Sequence, residues 1–309
     1  AAARPVTLQA LTSLAINSSC DDASALVQKI ISRSTPLSEC VESRIYRGLL
    51  TGLNEAFVIP KETADKIAAQ EPESKQILVP FYTGRMIKRY YMPPATKSLI
   101  FMPKGYTQAK DGGNDADALL WFAEKHPLIA EHLAKFEKRA AKRRDKGFYW
   151  WELRPCNYYD VFKRPKIVLP LICNRVSAVS DTNGADVNDK CGRSDTDNTF
   201  ILALLNSRLL DFIFRAITPA LLNDYRELRP SVLAKLPIAG MNPQRASQNK
   251  IRDEIADLGK KLSEMYNASP PAKHGIADAA IRDAERETDR LVYKLYKLTP
   301  AEINIVENN

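Results

Sequence analysis

Paired cysteines, membrane-length apolar runs and the usual catalytic signatures are all missing from this chain. Its five cysteines (Cys20, Cys40, Cys156, Cys173, Cys191) are odd in number and widely spaced, with no C-x-x-C pair. That argues against a disulfide framework or a zinc site and for reduced thiols in a cytosolic protein. No apolar run approaches the ~18 residues a membrane helix needs, and no signal peptide precedes the first element. The expected setting is therefore the cytoplasm, with no membrane partner. There is no G-x-G-x-x-G, P-loop or H-E-x-x-H, and no G-x-S-x-G elbow. Only three histidines exist; His126 and His132 stand six apart, a poor spacing for sharing a metal, and His274 is remote. Structural or surface roles are expected for them. Cys156 lies near Arg154, a setting that can lower a thiol pKa, but no base accompanies it. Asp145, Glu152 and Asp160 lie near lysines, which leaves a nuclease of scattered carboxylates open.

What is present is an uneven excess of positive charge. The 309 residues carry 45 Lys and Arg against 37 Asp and Glu, a formal +8. Between Lys135 and Lys166 there are eleven basic and four acidic residues; from Arg245 to the end there are eleven of each. The excess is thus a mid-chain feature beside a neutral arm, the pattern of a binding face with a scaffold. Its densest part is "KRAAKRRDKGFYWWELRP", Lys138 to Pro155.

The chain organises as alternating short strands and helices. "DDASALVQKIIS" reads as a helix stopped by Ser-Thr-Pro. "RIYRGLLTGLNEAFVIP" and "KQILVPFYTGRMIKRYYMPPATKSLIFMP" each read as strand, turn, strand, with "KDGGND" a loop. "HPLIAEHLAKFEKRAAKRRDKG" has apolar residues at helical spacing and is expected to be one helix capped by Gly147. "RPKIVLPLIC" reads as a strand, "DTNGADVNDKCGRSDTDN" as a long polar surface loop, and "TFILALLNSRLLDFIFRAI" as one apolar helix. Ile251, Ile255, Leu258, Leu262 and Met265 form a heptad seam, continued by Ile281, Thr288, Leu291 and Leu295 beyond "ASPPAKHG". An antiparallel helical pair is expected there. The fold class is α+β: a mixed β-sheet lobe with flanking helices, followed by that pair.

Six stretches occur in an order that resembles one family: "IYRGLLTGLNEAFVI", "VPFYTGRMIKRY", "KGFYWWELRPCNYYDVFKRPKIVLPLI", "LALLNSRLLDFIFR", "LAKLPI" and "TDRLVYKLYKLTPAEINIVE". They look like the TaqI-like C-terminal specificity (target-recognition) domain of adenine-N6 DNA methyltransferases. The resemblance extends to single-chain type IIG restriction-modification enzymes and the similar large methyltransferases of phage defence. The resemblance runs from about Ser34 to the C-terminus. It implies a parent enzyme with S-adenosyl-L-methionine as cofactor, Mg²⁺ if it also cleaves DNA, and an N-P-P-Y type motif holding the flipped adenine. This chain has only "MPPA" and "SPPA" and no cofactor-binding glycine loop, so no cofactor is expected in it. Its opening "AAARPVTLQA", without Met, agrees with a piece of a longer protein. Leu171 stands where relatives commonly carry an acidic residue.

The resulting expectations are a helical linker over 1–33 from a catalytic domain elsewhere, a DNA target-recognition domain over 34–240 and a helical segment over 241–309. The partners are double-stranded DNA and the methyltransferase domain of the same parent chain. Backbone-phosphate candidates are Arg85, Lys88, Arg89, Lys142, Arg143, Arg144 and Lys146, with solvated surface charge as the alternative. Base-reading candidates are Asn54, Arg175, Asn183 and Arg193, with Arg85 among them; Arg can fork onto guanine and Asn onto adenine, and each is equally readable as a turn residue. Tyr149, Trp150, Trp151 and Tyr158 are read as a mainly structural aromatic strand, with at most one Trp facing DNA. A protein-interaction module with an incidental basic face is the rival from another class, and an autonomous nuclease the third.

Overall fold

The structure is a computed structural model that describes residues 21–41, 45–107, 115–194, 196–240, 246–270 and 278–308. Most of "KDGGND" and of "ASPPAKHG", with Cys20 and His274, lies outside the described residues. Two four-stranded sheets form its centre. The first is antiparallel, in the order Ile45–Arg47, Cys191–Ser194, Lys166–Pro170, Val179–Asp181. The second runs Val58–Pro60, Lys97–Ile100, Leu78–Tyr82, Asp186–Val187, and its last pair is parallel, with Phe81 opposite Asp186.

The polar stretch expected to be a surface loop is therefore the seam between the sheets. Val179–Asp181 joins the first sheet, Asp186–Val187 crosses to the second, and Cys191–Ser194 returns to sit centrally in the first. This corrects the sequence reading. Short strands that pair, Cys191–Ser194 on both edges and the other two on one, satisfy backbone groups even with few apolar side chains, so hydrophobic alternation is not required to place them. Gly192 explains part of the fit: a Cβ there would come within 2.9 Å of the Leu171 side chain. Leu171 itself is buried.

Two expected helices are each broken. The basic helix divides into Pro127–Ala134 and Glu137–Ala141, reset by a turn in which Phe136 N–H donates to Leu133 O at 2.8 Å. The apolar helix divides into Thr199–Leu205 and Arg208–Ile217. There Asn206 turns its amide to Ala178, accepting from the N–H at 2.8 Å and donating to the carbonyl at 2.9 Å. Ser207 caps the second piece by accepting from Leu210 N–H. Local side-chain bonds of this kind compete with helix continuation.

The helical pair is present as Ala246–Ala268 and Ala279–Leu295, followed by Pro300–Glu307 with a Thr299/Glu302 capping box. Its packing does not follow the expected boundaries at 33/34 and 240/241. One core joins Leu26 and Ile30 of helix Asp21–Ser32 to Ile167, Leu202, Ile213, Ile255, Leu262, Leu291 and Val306. Gly259 allows a close approach there, since a Cβ would meet Thr199 O at 2.5 Å. A second core gathers residues of the 49–162 region, including Phe57, Phe81, Phe122, Leu133 and Trp151.

Candidate nucleic-acid interface

The densest basic stretch folds into an internal knot with an outer rim of cations. Arg143 lies at the knot's centre and is only 8% exposed. Its guanidinium donates to Thr51 O at 2.6 Å, Trp150 O at 2.7 Å, Glu152 O at 2.8 Å and Ala140 O at 3.3 Å. It also lies 4.4 Å from the Phe57 ring centre. Burial pulls its pKa down to about 10, leaving it charged at neutral pH. Arg143 is thus not a phosphate contact: it neutralises carbonyls that burial would otherwise orphan.

Glu152 is the counterpart. Fully buried, its carboxylate accepts from Gly105 N–H at 3.1 Å, Thr107 N–H at 3.1 Å and Phe148 N–H at 2.9 Å. Gly147 lies against it, where a Cβ would fall 2.4 Å from Oε2. That close approach, and not a left-handed helix cap, is what glycine supplies here. The aromatic residues form turns instead of the expected strand. Trp151 is buried and stacks on Tyr149 at 4.7 Å and Phe122 at 5.4 Å, while Trp150 meets it edge-on and Tyr158 is half-buried beside Tyr46.

Outside the knot, Lys138, Lys142 and Arg144 are exposed and have no ion pair among the described residues. Lys146 is half-buried and donates to Ala141 O at 2.6 Å. Arg139 pairs with Glu55 at 2.6 Å on the surface, and Arg154 faces Asp145 at 4.0 Å. Lys104 stands 4.3 Å above the ring of Phe148, which is 53% exposed. Neither Lys104 nor Phe148 was singled out from sequence. The available signal was an aromatic immediately after a basic run and a glycine.

The remaining candidates scatter. Arg85 and Lys88 are exposed near the turn that carries Tyr90 at positive φ. Arg89 is turned inward, donating to Asn206 O at 2.7 Å and pairing with Glu285 at 2.7 Å. It ties this turn to the C-terminal helices and is withdrawn as a phosphate contact. Asn54 is exposed, but its Oδ1 accepts from Thr51 Oγ1 at 2.6 Å, the turn-forming alternative. Arg175 is 40% exposed opposite Asp211 at 4.0 Å, and Asn183 is exposed. Arg193 is fully buried, against the Phe162 ring and 3.9 Å from Asp186, so it reads no base. Burial pushes Asp186 up to about 6. Alongside, the buried Lys166 pairs with Asp181 at 2.6 Å.

The two described histidines are satisfied internally: His126 bonds with Ser74 at 2.7 Å and Tyr106 at 2.8 Å, and His132 with Ala56 O at 2.9 Å. Burial lowers both their pKa values. Among the described residues no three His, Cys, Asp or Glu side chains form a group that could hold a metal. No described helix is long and apolar enough to cross a membrane. A separate apolar surface exposes Leu221, Leu222 and Tyr225 beside Ile172, on the ribbon pairing Ile172–Cys173 with Arg226–Glu227. The arginines there are matched by acids, Arg215 and Arg226 by Asp224 and Arg229 by Glu227.

Residues 79–238, just over half of the chain, match the TaqI-like C-terminal specificity domain. The chain belongs to that family. Within this specificity domain lie the Arg143–Glu152 knot and the seam of both sheets. The structure is similar to that of the type IIL restriction-modification enzyme MmeI, solved in complex with DNA. The TM-score is 0.61 at 14% identity, over 86% of this chain and 35% of that one. The type IIG restriction endonuclease BpuSI matches over 90% of this chain and 34% of its own, with TM-score 0.42 and 12% identity. The chain thus spans about a third of the length of these two solved structures. No curated protein sequence matches it.

Proposed function

We propose that this chain recognises a specific sequence in double-stranded DNA as the target-recognition part of a site-specific adenine-N6 DNA methyltransferase, of the type IIG restriction-modification or phage-defence kind. The observation that carries the reading is a rim of unpaired cations, Lys138, Lys142 and Arg144, on the rigid Arg143–Glu152 knot, within a specificity-domain fold. The likeness to MmeI, solved with DNA, supports it. Phosphates are gripped by Lys142, Arg144, Lys146, Arg85 and Lys88. The half-buried Arg175 and the exposed Asn183 are the side chains suited to base edges, with Asn54 at a separate turn. Extruding an adenine costs a few kcal/mol, which a clamp on the duplex offsets. S-adenosyl-L-methionine, and Mg²⁺ if the parent cleaves, belong to the parent's other domains, and the enzyme works in the cytoplasm.

Binding of the full chain to labelled duplexes across a salt series tests this. Log affinity should fall linearly with log salt, and a selected sequence pool should converge on one site. Failure to bind any duplex at low salt would end the reading. The apolar Leu221–Tyr225 surface favours a second reading, a module that docks a partner such as a methyltransferase domain. Size exclusion with a methyltransferase fragment, with and without DNA, separates the two. The nuclease rival loses Glu152, whose carboxylate is held by backbone N–H groups.

A further inference from the structure

We propose that Phe148 is an aromatic finger that inserts at a base step of the duplex, with Lys104, Lys142, Arg144 and Lys146 meeting the flanking phosphates. The inference rests on the duplex-binding reading and adds to it a residue and a mode of contact.

A single exposed aromatic is ordinary on a protein surface. Phe148 differs in how it is held. Its N–H is fixed on Glu152 Oε2 at 2.9 Å, and the same carboxylate holds Gly105 and Thr107 of the neighbouring loop. Arg143 fixes the carbonyls of Trp150 and Glu152 just beyond it. Phe148, 53% exposed as a residue, thus stands on a backbone tied from both sides. Such preorganisation removes the ordering cost that a flexible side chain meets on binding.

Its surroundings select the partner. Lys104 covers the ring at 4.3 Å, and Lys142, Arg144 and Lys146 precede it within six residues. Among the described residues, the acids next to it in sequence are engaged: Glu152 is buried and Asp145 faces Arg154. An apolar protein surface closing over this tip would have to desolvate several cations without counter-charge. A duplex supplies phosphates on either side of flat base faces, and apolar wedges at base steps are a known way of deforming DNA. The Leu221–Tyr225 surface is the contrast, since its arginines are already matched by acids.

The test measures affinity of the full chain for a short labelled duplex, intact or with one central mismatch, across a salt series. Wild type, Phe148→Ala, Phe148→Tyr and Arg144→Ala are compared, with circular dichroism as the folding control. Phe148→Ala should bind about ten-fold more weakly, the order expected for losing one base–aromatic contact, with an unchanged salt slope. Phe148→Tyr should retain affinity, and Arg144→Ala should lower the slope by about one. Wild type should prefer the mismatched duplex, where unstacking costs less, and Phe148→Ala should lose that preference. A folded Phe148→Ala that binds like wild type overturns the finger and leaves duplex binding standing. So does a wild-type dimer dissolved by Phe148→Ala at unchanged duplex affinity, which assigns the ring to a second copy of this chain. Absence of any duplex binding by wild type overturns both readings.

Discussion

Residues 138–155 and 181–194 are both charged, glycine-containing stretches, yet the first ends as a surface tip and the second as the seam between two sheets. In the first, Arg143 turns inward while its neighbours Lys142 and Arg144 stay outside. In the second, Asp181, Asp186, Arg193 and Ser194 are all buried. What decides is the supply of backbone groups needing partners. Arg143 meets carbonyls of a turn-rich segment, whereas the second stretch satisfies its own backbone through strand pairing and pairs its charges internally. Charge density marks neither outcome.

Breaking the seam should have the largest effect. Asp181→Ala leaves the buried Lys166 ammonium with Phe162 O as its remaining partner and should cost about 3–5 kcal/mol in urea unfolding. The apolar pair Lys166→Met with Asp181→Leu should recover the part owed to the orphaned ammonium but not the part owed to Asn183 N–H and Ala185 N–H, which donate to the Asp181 carboxylate at 2.9 Å; a fully additive loss would show that the charges do not act as a pair. On the knot, Arg143→Ala removes donors from four carbonyls and should cost on the order of 3 kcal/mol. Arg143→Lys should not rescue it, because an ammonium lacks the planar fork.

A smaller effect concerns pH. Burial, with a lesser push from Lys125, holds His126 below its ordinary pKa, so the folded state favours the neutral ring. In the unfolded chain it protonates near ~6.5. Stability should therefore be complete above that value and fall as pH drops, by about 1.4 kcal/mol per unit at most. His126→Gln should flatten this slope; an unchanged slope would assign the acid lability elsewhere. Smallest for the fold, Lys142→Ala and Arg144→Ala should each change stability by less than about 0.5 kcal/mol. If either destabilised like Arg143→Ala, the distinction between knot and rim would be lost.

The sequence made the fold class, the heptad pair and the family resemblance legible, because periodic apolar residues and ordered motifs are local signals. It also located the basic region. It could not separate Arg143 from Arg144, since the difference is set by Thr51 and Trp150 carbonyls brought close by folding. Arg193 was misjudged for a related reason: two glycine- and aspartate-bearing short strands look like a loop until their partners are known. The helix breaks at Phe136 and Asn206 escaped because apolar spacing continued across them, and in the second the Ala178 backbone supplied the competing bonds.

The crossing of residues 179–194 between the sheets bears on how new specificities are transplanted. An exchange limited to that segment, treated as an interchangeable loop, would carry away Val179–Asp181, Asp186–Val187 and Cys191–Ser194 together. Recipient and donor would then have to agree on registers in two sheets at once. Chimeras are better cut outside both sheets, or confined to single exposed positions such as Asn183 that leave the hydrogen-bond ladders whole.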